Sequence, residues 1–488
     1  MKMFVHNNTL RNLKRGIVER VLYLVKDGRL VPCHRPTLET VRRHMDGFRK
    51  QLRKKLPPTT PISMDEFPEL YWGRKRLIYQ RAVESLKLHS IDVRDSYLKW
   101  FVKIEKLDAT TKDDPAPRII SPRNPRFNVM AGIHLKQSEH LLFRGINRVW
   151  GDRTVAKGLN SAQTASLIKR KWDSFTKPVA VGLDASRFDQ HVSDTMLEGF
   201  EHQVYKDWFK SPEFDRLMAW QRFNRGFGDT PDGYVQAEVQ GCRMSGDMNT
   251  SMGNCLIMCG MVWSYCQANN IVAKLLNNGD DCVVFMEQKD LPKFNAHLDR
   301  FFQKLGFDMK VEEPAYEMEK IEFCQTRPIR VGVDEWIMCR TIERALSRDA
   351  MALINVDHPE SLAAWCASVG SAGTAAFGGV PILDAFYEYM TRQGNETPKW
   401  EKSYGSMGGL KWASKGMNRR RAPILDITRY SFYIAFGILP GEQQACEAYF
   451  NGLAPIVKTI PPRPDDKPSP RLSLALSNIV SNLDTLSW

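Results

Sequence analysis

Four carboxylates stand out by their surroundings. Asp184 closes the apolar run KPVAVGLD, a buried strand by pattern, and Asp189 follows in GLDASRFDQHVS. Asp280 and Asp281 sit in NNGDDCVVF, where Asn278-Gly279 is a tight-turn signal between two apolar runs. If the strand lies beside that hairpin, Asp184 and Asp280 face each other across its turn. Facing carboxylates repel unless a cation neutralises them. Mg²⁺ suits such a place, as a hard ion held by one or two carboxylates plus substrate phosphates. Two ions roughly 3.5–4 Å apart would activate an attacking hydroxyl and stabilise a leaving pyrophosphate.

The elements that must position these acids can be read around them. In RMSGDMNTSMGNC, Ser245, Thr250 and Asn254 open a segment in which Met252, Cys255, Leu256, Cys259, Val262, Trp263 and Cys266 recur at helical spacing, as in a buried helix. Ser245 and Thr250 also suit a helix N-cap. Leu291, Phe294, Leu298, Phe301, Phe302 and Leu305 predict an amphipathic helix that Gly306 closes. Strand, helix, hairpin, helix and strand make an α+β layer with helices behind a small sheet.

Basic residues surround this core. The chain of 488 residues carries Lys+Arg 69 against Asp+Glu 56, net +13, a balance that points to a polyanionic partner. Residues 1–60 hold 15 Lys/Arg and 4 Asp/Glu, including a mixed helical run from Arg42 that Pro57-Pro58 stops. A second basic zone, FVKIEKLDATTKDDPAPRIISPRNPRFNV, is stiffened by prolines 115, 117, 122 and 125, which forbid a long helix there. KWASKGMNRRRAPILD is a third, read as a solvated loop or a duplex contact, and Tyr430, Phe432, Tyr433 and Phe436 read as core. Ten single cysteines without CxxC or zinc spacing indicate reduced thiols. MKMFVHNNTLRNLKRG lacks a signal-peptide core, and CLIMCGMVWSYC is too short to span a bilayer. No GxxxxGK[ST] motif speaks for a helicase.

Read together, GLDASRFDQHVS, RMSGDMNTSMGNC and NNGDDCVVF resemble motifs A, B and C of positive-strand RNA virus RNA-dependent RNA polymerases. The wording is most similar to the tombusvirus family of plant viruses, including the carmovirus-like replicases. VHNNTLRNLKRGIVERV, FVKIEKLD, PAPRIISPRNPRFNV and IEFCQTRPI agree with it. The resemblance implies a right-hand α+β fold, its palm a small antiparallel sheet backed by helices. Its parts would be an N-terminal region and fingers over 1–175, palm motif A over 176–202, a fingers insertion over 203–238, palm motifs B to E over 239–330, a thumb over 331–460 and a Pro-rich tail over 461–488.

By the same resemblance, Asp184 and Asp280 match the principal metal ligands and Asp281 the auxiliary acid, for two Mg²⁺ ions with Mn²⁺ able to substitute. Asp189, Ser245, Thr250 and Asn254 match the group that reads the ribose. Arg118, with Lys103, Lys106, Lys112 and Arg123, falls where the triphosphate is held. Pro115 stands where the family usually has a lysine before that arginine, and Lys112 would compensate. Lys310 in LGFDMKVEE matches a lysine that protonates pyrophosphate, and Phe323, Cys324 and Gln325 a hairpin that supports the nascent 3′ end. The implied activity is RNA synthesis from ribonucleoside triphosphates on a single-stranded RNA template. A viral accessory replicase protein and host membranes, reached indirectly in the host cytoplasm, would be partners. Reverse transcription is disfavoured by Gly279 before the acid pair, and a non-catalytic RNA binder by the acids themselves, which gain nothing near phosphates.

Overall fold

The computed structural model describes residues 3–110, 114–353, 356–394 and 408–455. Of the helices that precede the central sheet, three show how their starts and stops are set. Helix α1 (Leu38–Arg53) starts where the Thr37 side chain accepts from the Thr40 N–H, and it ends short of Pro57-Pro58 as expected. Helix α2 (Pro125–Trp150) has Pro125 in its first turn, where a missing N–H costs nothing, and stops at left-handed Gly151. The prolines that bar a helix before residue 125 therefore also launch one. Asn160 and Gln163 form a reciprocal cap at the start of α3 (Ser161–Trp172).

The apolar run before Asp184 is strand β1 (Pro178–Ala185). Strands β2 (Phe223–Thr230) and β3 (Gly233–Gln240) form a separate long hairpin. Helix α4 (Thr250–Ala268) follows, buried on nearly every side, as a helix apolar all round must be. Strands β4 (Ala273–Asn277) and β5 (Asp281–Glu287) make the expected hairpin, with Gly279 at φ +96° in its turn. Strand β6 (Met309–Val311) completes an antiparallel sheet of order β4-β5-β1-β6.

Strand alternation gives this sheet two buried faces. Cys282, Val284 and Met286 join Val179, Val181 and Leu183 in the main core, which includes α4 and Phe48 of α1. Val283 and Phe285 face the other way, onto Ala165 and Ile168 of α3. The sheet is thus fixed from both sides, and only its loop ends are free to carry chemistry.

One expected helix is broken. The 291–305 pattern forms two pieces, Leu291–Asn295 and Leu298–Lys304. At the break the Tyr265 hydroxyl donates to the Phe294 carbonyl at 2.5 Å, the acceptor an unbroken helix would offer to residue 298. Gly306 ends the second piece at φ +89°.

Strands β7 (Thr326–Arg330) and β8 (Trp336–Arg340) lead into a helical C-terminal unit that begins with α5 (Ile342–Asp349). This unit has its own core, with Trp365, Tyr387, Phe432 and Phe450. Phe432 and Phe436 pack there as expected, but Tyr430 and Tyr433 are exposed. The arginine run does not stand open as a loop. Arg419 pairs with Glu335 and donates to the Gly378 carbonyl, and Arg421 pairs with Asp384. The expected tail over 461–488 lies outside the described residues. Among the described residues, no helix is long and apolar enough to cross a membrane.

Candidate active site

The sheet order brings the distant acids together. Asp281 is the register partner of Asp184 across the β5–β1 pair, and Lys310 of β6 is its partner on the other side. Asp280 stands in the β4–β5 turn. Neither Asp184 nor Asp280 has an ion-pair partner among the described residues. Solvent reaches Asp280, yet the enclosing walls raise its carboxyl above the usual range, and the charges of Asp189 and Asp184 add to this while Arg118 opposes it. Asp281 is pushed up to about 7, chiefly by desolvation; the Cys324 N–H, donating to its Oδ2 at 2.9 Å, works the other way.

Cys324 owes that placement to a tight turn. Phe323 and Thr326 exchange backbone hydrogen bonds, and Cys324 and Gln325 between them both adopt left-handed φ, +51° and +61°. Such conformations are costly for residues with a Cβ and persist where the surroundings impose them. The Asn278 amide donates to the Cys324 sulfur at 3.0 Å, so the turn is tied to the acidic hairpin at two points. Desolvation holds the thiol far above its usual range, which fits a small packed group rather than a redox centre.

Asp189, Ser245 and Asn254 converge at one point. The Ser245 hydroxyl donates to Asp189 Oδ2 at 2.5 Å and the Asn254 amide to Oδ1 at 2.7 Å. Thr250, expected in this group, directs its hydroxyl to the carbonyls of Met244 and Asp247 at 2.9 Å each, because it opens α4 and those oxygens lie beneath it. The helix cap itself is Asn249.

The basic strip divides. Strands Phe101–Val102 and Ile119–Ile120 pair antiparallel, and Glu105 bridges Lys103 (3.1 Å) and Arg118 (3.3 Å). Both cations line a cavity of about 930 Å³ beside the acidic turn. Lys106 lines it too, but its amine donates to the Arg348 carbonyl at the end of α5, and burial pushes it down to about 8. Arg123 departs from expectation. Its side chain is fully buried, paired with Asp247 at 2.6 Å and donating to the Ser96 carbonyl and Asn224, so it ties loops together away from solvent. Lys112 lies outside the described residues.

Sequence reasoning missed Glu105, the Glu201–Arg243 pair behind Asn254, and Lys157 beside the acidic turn. Glu105 was visible as the lone acid within the motif KIEK. The other two gave no local signal, because what they lie beside, Arg243 for Glu201 and the Gly279 turn for Lys157, is distant in sequence.

A family model described as "Viral RNA dependent RNA polymerase" matches residues 1–458. The chain belongs to this family. The RNA-directed RNA polymerase of Tobacco necrosis virus (strain D) is 42% identical over 462 residues, covering 93% of this chain and 62% of that protein. That of Turnip crinkle virus is 40% identical over 456 residues, covering 92% and 58%, and that of Panicum mosaic virus 40% over 461 residues, covering 92% and 46%. The viral polymerase resemblance read from the three motifs thus holds along nearly the whole chain, which spans about three-fifths or less of these relatives' own length.

Family membership implies use of a divalent metal. Among the described residues no group of three or more His, Cys, Asp or Glu closes into a metal-holding cluster. The donor chemistry nonetheless suits a hard cation: Asp184 and Asp281 are cross-strand partners, Asp280 adjoins them in the turn, and neither Asp184 nor Asp280 has an ion-pair partner among the described residues.

Proposed function

We propose that this chain is an RNA-directed RNA polymerase, synthesising RNA from ribonucleoside triphosphates on the genome of a positive-strand plant RNA virus. The observation that carries this is the trio Asp184, Asp280 and Asp281, gathered at the loop end of a sheet whose two faces are buried, with no ion-pair partner for Asp184 or Asp280 among the described residues, beside a cavity lined by Lys103 and Arg118.

In this reading Asp184, Asp280 and Asp281 hold two Mg²⁺ ions, or Mn²⁺ in their place. When bound, such ions favour ionisation of the attacking hydroxyl and stabilise the leaving pyrophosphate. The chain's own residues do the rest. Arg118 and Lys103 bind the triphosphate, Arg118 by its planar fork, with Glu105 restraining both side chains. Asp189 keeps lone pairs free beyond its bonds to Ser245 and Asn254, so it can accept a ribose hydroxyl proton while the amide or hydroxyl beside it donates back. Lys310, next to Asp184 and exposed, donates a proton to the departing pyrophosphate.

The right-hand division follows from the same reading. The sheet β4-β5-β1-β6 with α4 is the palm, residues 1–175 and 203–238 supply the fingers, and 331–460 the thumb, of which 456–460 lie outside the described residues. Template and nascent RNA occupy the cavity. A viral accessory replicase protein and host membranes in the cytoplasm are the partners proposed for the complete replicase.

The test is incorporation of labelled ribonucleotides on a single-stranded RNA template with Mg²⁺, beside an Asp280→Asn control. Template-dependent product from wild type alone supports the reading. Equal product from both, or none from either, overturns it.

A further inference from the structure

Lys157 is the cation nearest the acidic turn from the side that the motifs do not describe. Its amine lies 3.9 Å from where a Cβ on Gly279 would stand. It is half-buried, lines the 930 Å³ cavity, and has no hydrogen-bond or ion-pair partner among the described residues.

The loop that carries it is anchored by hydrogen bonds to β4 and to α2. Val155 bridges to Asn277 in parallel fashion, at the outer edge of β4. The Asn277 N–H donates to the Thr154 carbonyl and the Ala156 N–H to the Asn277 carbonyl, both at 2.8 Å. The Asn147 side chain accepts from the N–H groups of Thr154 and Val155. Asp152, at the loop's start, is paired with buried Lys171. Lys157 is therefore delivered to the catalytic turn by an extra edge segment of the sheet, not by a wandering loop.

A lysine held this way in a cavity that must take RNA calls for an anion, and the sheet order says which. Across β4-β5-β1-β6, Asp189 and its partners follow β1, on one side of the Asp280–Asp281 turn. Lys157 arrives beyond β4, on the other side, beside the Cys324 turn. In an in-line displacement the attacking hydroxyl and the leaving pyrophosphate lie on opposite sides of the reacting phosphorus. The incoming nucleotide belongs with the ribose-reading group, so a phosphate on the β4 side belongs to the strand being extended.

We infer that Lys157 binds the 3′-terminal phosphodiester of the nascent strand and so sets the attacking 3′-hydroxyl over the acids. The inference rests on the polymerase reading above. An ammonium with three donors suits a phosphate that must shift by one nucleotide after each addition, since it offers charge without a fixed fork.

The test uses the full chain and primed templates whose 3′-terminal linkage is either a phosphodiester or an uncharged methylphosphonate, with a methylphosphonate three linkages back as control. Lys157→Ala should raise the apparent KM for primed template about tenfold or more, the loss of one hydrogen bond to a charged group, and leave the nucleotide KM unchanged. Lys157→Arg should keep most of the activity. The terminal methylphosphonate should penalise wild type by a similar factor and Lys157→Ala hardly at all. Wild type indifferent to the terminal methylphosphonate overturns the inference, whatever the variants do. So do equal penalties in wild type and variant, or an effect confined to the nucleotide KM. Failure of the underlying reading is separate: it would show as extension by Asp280→Asn equal to wild type.

Discussion

Two acid sites lie close to the start of α4, and they are built in opposite ways. Glu201 is fully buried, ion-paired with Arg243, and accepts from the Asn249 amide at 2.7 Å and the Tyr205 hydroxyl at 2.9 Å. Desolvation is the largest influence on it and pushes its pKa up, but the charge and hydrogen bonds of Arg243 outweigh this and hold it below the usual carboxylate range. Asp280 and Asp281 have no such partner, and their pKa values stay raised. A buried acid that the fold satisfies is architecture. Asp280, open to solvent at the sheet's loop end, is instead left without a cation of the chain's own, the setting in which a ligand cation can bind. The satisfied site also reaches toward Asp189: Arg243 Nε donates to Asn254 Oδ1 at 3.0 Å, and so aims the amide that donates to Asp189.

The comparison breaks most visibly if the unsatisfied acids prove dispensable. Asp184→Ala or Asp280→Ala should abolish RNA synthesis while leaving RNA binding nearly intact, read by primer extension beside filter binding. Wild-type-like extension by either variant would remove the metal-holding role. The next largest effect is on sugar choice. A site whose buried polar groups are left unpaired by the wrong substrate can reject it by about 10⁴–10⁵. Asp189→Ala and Asn254→Ala should each lose kcat/KM for ATP while barely changing that for dATP on one template. Equal losses on both substrates would make the pair a support for the backbone.

The satisfied site should answer in stability instead. Arg243→Ala leaves Glu201 buried without its cation, which costs roughly 3–5 kcal/mol, read as a lowered denaturation midpoint. The same variant frees the Asn254 amide, so sugar discrimination should narrow in whatever enzyme remains folded. Unchanged discrimination would show the two sites to be independent. The smallest effect is a pH dependence. His202, beside Glu201, is pushed down to about 4, chiefly by desolvation. The unfolded chain binds that proton first, so the stability it supports is present above about pH 6.5 and is lost as pH falls toward about 4. His134, also pushed down to about 4 by burial, acts in the same window and the same direction. His202→Asn should flatten the decline of the urea midpoint between pH 6.5 and 4.5, and an unaltered slope would shift it to the other histidines that burial lowers, His134, His191 and His44.

What was legible in the sequence was whatever had a local period or a local turn. The strand ending at Asp184, the buried helix after Ser251, the Asn278-Gly279 hairpin and the cap at Gly306 all read correctly, because each follows from residues a few positions apart. The site was read from a family wording; what the structure adds is that Asp189 accepts from both Ser245 and Asn254. Arg123 misled because a basic residue in a basic strip carries no mark of its burial; only the fold brings Asp247 to it. Thr250 misled by phase: it lies one turn before Asn254, but the helix begins at that residue and its hydroxyl turns back to the preceding loop. The break at residue 296 needed Tyr265, which no periodicity connects to it.

Strand β1 sits in the interior of its sheet, yet both of its neighbours come from much later in the chain: Asp184 pairs with Asp281 on one side and Lys310 on the other. During synthesis at about 5–20 residues per second, the β1 segment therefore waits roughly 5–20 s for its first partner. Until then an apolar strand has two open edges, the exposure that draws chains into aggregates. Fragments ending before residue 281 should be insoluble where the longer chain is not, and contacts of this sequence separation make folding slow. The acids meet only when almost all of the sheet has been made, so an incomplete chain has no half-formed site to misuse.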